Sequence, residues 1–250
     1  MQPLINEAIE AALNVERDYK PSGTIRLYPS EAGGCARATM LRIHNAPKKS
    51  FPLQAKKAME DGIAYEDNTL KLLRRHYGHE NILEQLPLQT TFWSGKADFV
   101  IFHETPQVMI VEHKATGQKW FDYKGSLPNP KHVVQLSLYK TIYRDKYGFE
   151  PELRLFYRAW QNWAEFILEP EGAVIRATGW VNGKEREVMV PINLEALKGK
   201  LEFYFTKGLL PKRVKEEDKD KTGCTFKGEA SCPFFDSCWP KEKSLAEVKS

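Results

Sequence analysis

Apolar residues along the chain recur with two periods, and the change between them divides it. From Leu53 to Tyr77 the small or apolar positions Ala58, Gly62, Tyr65, Thr69, Leu72 and Leu73 return at helical spacing and predict one long helix. Beyond it the period falls to two. TTFWSGKADFVIF and QVMIVEHKA read as strands around the short loop HETPQ, whose proline suits a turn. Asn129-Pro130 has the form of a helix start, with asparagine as cap and proline at the first helical position, and that helix runs to a stop at Gly148. ELRLFYRAW, WAEFILE, AVIRATGWV and REVMVPI are rich in β-branched and aromatic residues and predict four more strands. Asn193 to Lys207 predicts a last helix closed by Gly208. Upstream, Pro3 to about Arg17 reads as a charged amphipathic helix, and PSGTIRLYPSEAGGC as a loop leading to Cys35 and the short helix ATMLRIH. After Pro211, KRVKEEDKDKTG reads as a solvated linker into a cysteine-rich tail.

The first hairpin carries charges in an awkward place. With its loop centred on Thr105, Phe102 faces Val108, Val100 faces Ile110, and Asp98 stands across from Glu112. Side chains alternate along strands, so Asp98, Glu112 and Lys114 emerge on one face and Phe99, Ile101, Met109 and Val111 on the other. A slip of one residue would reverse the face of Asp98. Like charges directly opposite on neighbouring strands are destabilising, so something cationic belongs between them. A divalent metal with a nearby lysine is the simplest candidate. The alternative is a solvated sheet face on which the three residues form an ordinary ion-pair cluster. Val108 to Val111, however, is a continuous apolar run, as in a strand buried on both faces, which is a poor setting for carboxylates that merely confer solubility.

Composition narrows the setting. The chain has 250 residues, 42% of them hydrophobic, enough for one domain with its own core. No window approaches the roughly 18 apolar residues that span a bilayer, and the chain reads as soluble and cytoplasmic with no membrane partner. A net charge of +4 permits a polyanionic partner without demanding one. The basic runs RRHYGH, KATGQKW, YKGSLPNPKH and LPKRVK are interleaved with aromatics, which suits phosphates and unpaired bases and equally an ordinary surface. Lys119, Trp120, Tyr123 and Lys124, on the loop before the Asn129 helix, are the candidate contacts. Cys35 stands far from Cys224, Cys232 and Cys238, and in a reducing compartment so wide a spacing points to metal rather than to disulfides. Four thiolates can hold a 4Fe–4S cluster or a tetrahedral zinc, although the tight C-x2-C knuckles common in zinc sites are absent.

Taken in order, Gly95-x-x-Asp98, Glu112-x-Lys114 and Gln135-x-x-x-Tyr139 resemble the PD-(D/E)XK nucleases of the RecB type, with Ala97-Asp98 where the motif name has proline-aspartate. The resemblance implies an α/β restriction-endonuclease-like core over residues 53–207, a central mixed sheet flanked by helices. It implies that Asp98 and Glu112 hold Mg²⁺ or Mn²⁺, helped by the main-chain carbonyl of His113, and hard cations do prefer such oxygen ligands. Lys114 would orient or activate the attacking water and stabilise charge at phosphorus. Gln135 and Tyr139, four apart on one helix face, would sit beside the active site and contact the DNA strand or a catalytic water; their bland reading is a helix surface. The family's glycine followed three residues later by histidine is here Gly62 and Tyr65, with Glu66 next. Glu66 would then be a further metal ligand, with Gly62 leaving space for substrate, or else a solvent-facing residue.

One N-terminal cysteine and three C-terminal ones are similar to the iron–sulfur staple of the CRISPR-associated spacer-acquisition exonucleases, although seven residues separate the second and third where that family has two. The likeness implies a cluster subdomain built from residues 21–45 and 209–240, with zinc or incidental cysteines as alternatives. The implied activity is metal-dependent exonucleolytic hydrolysis of DNA at single-stranded ends, with CRISPR-adaptation or recombination proteins as candidate partners. A structure-selective or phage-type recombination endonuclease would use the same core. A DNA-binding subunit that has lost turnover and keeps a structural zinc is the reading from another class.

Overall fold

The computed structural model describes residues 25–50, 52–118, 121, 127–213, 215, 225–226, 229–230 and 232–239. The helix expected over 3–17, the candidate contacts Lys119, Trp120, Tyr123 and Lys124, Cys224 and most of the linker after Pro211 lie outside the described residues.

Three helices come first: α1 (Pro29–Ala32), α2 (Ala36–Ile43) and the long α3 (Leu53–Tyr77), whose bounds are those the periodicity predicts. Seven strands then form one sheet in chain order: β1 (Ile82–Gln89), β2 (Ser94–Ile101), β3 (Met109–Ala115), β4 (Glu152–Arg158), β5 (Trp163–Glu171), β6 (Val174–Val181) and β7 (Lys184–Val190). Neighbours are antiparallel except β3 and β4, which are parallel. A tight turn cannot join parallel strands, and the crossover between them is α4 (Pro130–Tyr147). Helix α5 (Leu194–Lys207), the two-residue strands β8 (Thr225–Phe226) and β9 (Glu229–Ala230), and one turn of α6 (Phe235–Cys238) follow among the described residues. The result is a mixed α/β fold with helices on both faces of a seven-stranded mixed sheet.

The two faces are covered differently. Helix α3 lays Leu70, Leu73 and Tyr77 on Ile82, Phe99, Ile101 and Val111. The larger core lies on the opposite face, where Val133, Leu136 and Tyr143 of α4 meet Val100, Ile110, Leu155 and Phe166. Val133 to Tyr139 are all buried, as befits a helix enclosed between layers. Its ends follow the local rules: the Asn129 Oδ1 accepts the Lys131 N–H at 3.0 Å, and Gly148 ends it in the left-handed region at φ 78°. Asn193 and Gly208 do the same for α5.

Four readings of the sequence need correction. Strand β1 was not expected; only its two ends are buried deeply, so ILEQLPLQ has little alternation, and Pro87 is tolerated because the strand is an edge. The run TTFW is a turn rather than strand, since the Thr90 hydroxyl accepts the N–H groups of Phe92 and Trp93 and folds the chain back. Phe102 does not face Val108: the ladder stops at Ile101 and Met109, and Phe102 turns to φ 54° with its N–H donating to the Asn81 carbonyl. The supposed loop before Cys35 also contains α1, and its Leu27 bridges Trp93.

The tail docks on the N-terminal segment. Lys49 N–H donates to the Pro233 carbonyl at 2.8 Å, Ser237 Oγ to the Pro47 carbonyl at 2.6 Å, and Lys49 Nζ pairs with Asp236 at 3.0 Å. Among the described residues, no helix is long and apolar enough to cross a membrane.

Candidate active site

Gln85, Asp98 and Glu112 occupy one row across β1, β2 and β3. Glu84 pairs with Phe99 and Leu86 with Ala97, which sets Gln85 opposite Asp98; Phe99 pairs with Val111, which brings Asp98 level with Glu112. Val100 opposite Ile110 is the register expected from the sequence. At this row both ladders open. Gln85 takes φ 51°, and the His113 N–H, two residues past Val111 of the last β2–β3 pair, donates to Asp98 Oδ2 at 2.8 Å. The aspartate side chain thus satisfies a main-chain donor that the sheet leaves over.

Glu112 is only 1% exposed, which excludes the solvated-face reading. Its Oε1 accepts Lys114 Nζ at 2.5 Å and Gln135 Nε2 at 2.6 Å, while its Oε2 is buried with no hydrogen-bond partner among the described residues. An orphaned buried carboxylate oxygen is costly. Burial, and after it the neighbouring Asp98 charge, pushes the Glu112 carboxyl up to about 8 against the pull of Lys114. Burial also raises Asp98, opposed by Lys114 and the His113 N–H. For Lys114, burial alone would lower the ammonium, but the Glu112 and Asp98 charges outweigh it and hold the group above its ordinary value. Lys114 is therefore a cation and a donor here.

Helix α4 closes the site. Gln135 and Tyr139 are both buried, so neither belongs to a solvated helix surface, and the Gln135 Nε2 lies 3.4 Å from the Tyr139 hydroxyl. Tyr139, 3% exposed, stands behind Gln135 and braces it. Room for its ring comes from Gly95: a Cβ there would fall 2.8 Å from Tyr139 Cε1 and 2.9 Å from its hydroxyl. The glycine of Gly95-x-x-Asp98 is thus explained by a partner 44 positions away in the chain, 139 against 95.

Helix α3 supplies Glu66, which is half-buried and accepts Gln85 Nε2 at 2.8 Å, and the same nitrogen lies 3.4 Å from Asp98 Oδ1. Burial and then the Asp98 charge raise the Glu66 carboxyl. Glu66 is therefore linked to the row through Gln85. Gly62 sits over Ala115, where an added Cβ would make an ordinary contact at 3.5 Å, so this neighbour does not demand a glycine.

The His113 side chain points away from the carboxylates, between Phe99 and Phe156, with Nε2 unpartnered; burial, then Arg158 and Lys114, push it down to about 4. Its main-chain role alone remains relevant to a metal. Sequence reasoning missed Gln85, which lies on the unexpected strand. It also missed Tyr157, whose hydroxyl accepts the Asn129 N–H at 2.9 Å and meets His132 Nδ1 at 3.0 Å, fixing the start of α4. The alternation of ELRLFYRAW does place Tyr157 on the apolar side with Leu153 and Leu155, but nothing local discloses its hydroxyl's partners.

Among the described residues, no group of three or more His, Cys, Asp and Glu is already arranged around a metal position. The donor chemistry nevertheless fits a hard cation, because Glu112 Oε2 is a carboxylate oxygen without a partner beside a second carboxylate. The fold also brings Cys35, Cys232 and Cys238 to one small pocket walled by Ala38, Leu41, Phe235 and Trp239. Cys224 lies outside the described residues.

No protein-family model matches the chain, and no curated protein does. Among solved structures, the crystal structure of SSO0001 resembles it with a TM-score of 0.53 and 15% identity, over 97% of this chain and 99% of that one. At that identity the likeness is one of fold, and it extends over nearly the whole length of both.

Proposed function

We propose that the protein is a metal-dependent deoxyribonuclease of the PD-(D/E)XK, RecB-like type, hydrolysing phosphodiester bonds at single-stranded DNA ends. The observation that carries the reading is Glu112: a buried carboxylate, level with Asp98, with one oxygen held by Lys114 and Gln135 and the other without a partner among the described residues. Such an arrangement is a poor fold stabiliser and a good receptor for a divalent cation. Asp98 and Glu112 would hold Mg²⁺ or Mn²⁺, with the His113 main-chain carbonyl as a further ligand and Glu66 within reach through Gln85. Bound there, the ion supplies Lewis acidity toward a phosphodiester.

The chain's own residues do the rest. Lys114, kept protonated by its two carboxylate neighbours, cannot serve as the base; it orients water and meets negative charge at phosphorus. Gln135 holds Glu112 in place, and Tyr139 holds Gln135. The pocket of Cys35, Cys232 and Cys238 would hold a 4Fe–4S cluster with Cys224 as the fourth ligand, tying the N-terminal segment to the tail. The test is hydrolysis of end-labelled single-stranded DNA with Mn²⁺. Wild type should release products and Glu112→Ala at least about 100-fold fewer, the size expected for an essential electrostatic group; equal products from both would sink the reading.

A further inference from the structure

β4 and β5 are joined by a tight turn in which the Ala159 N–H donates to the Asn162 carbonyl at 2.9 Å, leaving Trp160 and Gln161 at its tip. Trp160 is 81% exposed, and Trp163 just beyond it 47%. Short hairpin tips favour asparagine and glycine, and an indole that buries so little does nothing for the fold. The turn is one wall of a groove of about 560 Å³, with Leu72 and Tyr77 of α3 opposite and Phe156 at its base. That volume lies within the range of ligand pockets, about 300–1,000 Å³.

The charge in the groove is equally uneven. Arg154 is neutralised by Glu152 and Glu165. Arg158, paired in register with Trp163, instead donates to Asn68 Oδ1 at 3.1 Å and Thr69 Oγ1 at 3.0 Å, both neutral, and lies over the Tyr65 ring at 5.7 Å, so among the described residues no carboxylate pairs with it. Exposed indoles beside an uncompensated guanidinium suit a polymer with free bases and phosphates: any base can stack, and the planar fork matches a phosphate. Bases of a duplex are already stacked and offer no such face. The groove lies on the α3 face of the sheet, whereas Glu112 and Lys114 face α4; helix α3 joins the two, because Thr69 in the groove lining stands three positions from Glu66.

We propose that this groove between α3 and the β4–β5 turn binds single-stranded polynucleotide, with bases stacked on Trp160 and Trp163 and a phosphate on Arg158. The choice of polymer rests on the nuclease reading. The test is fluorescence anisotropy of a labelled oligothymidine with the full chain in EDTA, so that binding is read without cleavage. Trp160→Ala should weaken binding about tenfold, the size of one base–aromatic stack, Trp160→Phe should restore most of it, and Phe203→Ala, an exposed aromatic on α5, should change nothing. Normal binding by both Trp160→Ala and Trp163→Ala overturns the proposal, as does a wild type that prefers duplex or binds neither. Hydrolysis of a dinucleotide, too short to span groove and site, separates the two readings. If wild type hydrolyses it while the tryptophan variants bind normally, the groove falls and the nuclease stands; if binding depends on Trp160 and nothing is hydrolysed, the nuclease falls and the groove stands.

Discussion

Glu112 keeps its proton to about 8 because burial penalises the anion and Asp98 adds to the penalty. The ordinary value, 4.5, returns on unfolding. A group whose pKa is raised in the folded state contributes stability that is complete below the unfolded value and is lost as pH climbs to the folded one. In chelator, the protein should therefore lose stability between about pH 4.5 and 8, with this residue contributing up to about 1.4 kcal/mol per pH unit. Glu112→Gln should flatten that share of the slope, as urea denaturation at several pH values would reveal; identical slopes would mean that the carboxyl is not buried as described. Alternation and register made it legible that Asp98, Glu112 and Lys114 share one face, and helical spacing that Gln135 and Tyr139 share another; only the resemblance to RecB-type nucleases joined the two sets. What could not be read was the depth of burial, since exposure depends on α4 settling over the strand ends, a contact between segments distant in the chain.

At the scale of elements, two glycines make opposite forecasts. Gly95 on β2 lies under the Tyr139 ring, and Gly95→Ala would force a buried side chain against α4, at a cost of roughly 1–3 kcal/mol. Gly62 inside α3 has only an ordinary contact to lose, so Gly62→Ala should add close to 1 kcal/mol of helix propensity and raise the melting temperature by roughly 2–4 °C. Thermal denaturation of the pair checks both signs. A stabilised Gly62→Ala protein that no longer hydrolyses DNA would indicate that the substrate uses the space. The helices α3, α4 and α5 were legible because period and caps agree over many residues. Strand β1 was not, because an edge strand with two deeply buried residues carries almost no periodic signal, and with it went Gln85, the link between Glu66 and Asp98.

Across the whole molecule, the N-terminal segment and the tail meet at the cysteine pocket, beside hydrogen bonds from Lys49 to Pro233 and from Ser237 to Pro47. A metal bound there would close a very long loop, and such closure acts on stability more than on chemistry. Cys232→Ser should bleach the absorbance near roughly 400 nm that iron–sulfur thiolate ligation gives, lower the melting temperature, and leave cleavage per folded molecule within a few-fold of wild type. A colourless wild type containing zinc would replace the cluster with that ion. A mixed α/β sheet flanked by helices was readable at this scale, but the docking of the tail was not, because it rests on main-chain carbonyls that every sequence possesses. Strand order that follows chain order has a consequence for biosynthesis. Every residue of the carboxylate row and its braces precedes β4, so on the ribosome they can come together as soon as that strand emerges, the N-terminal portion folding first. Cys232 and Cys238 leave the exit tunnel well after β4, and the tail fastens a centre that the earlier chain has already built.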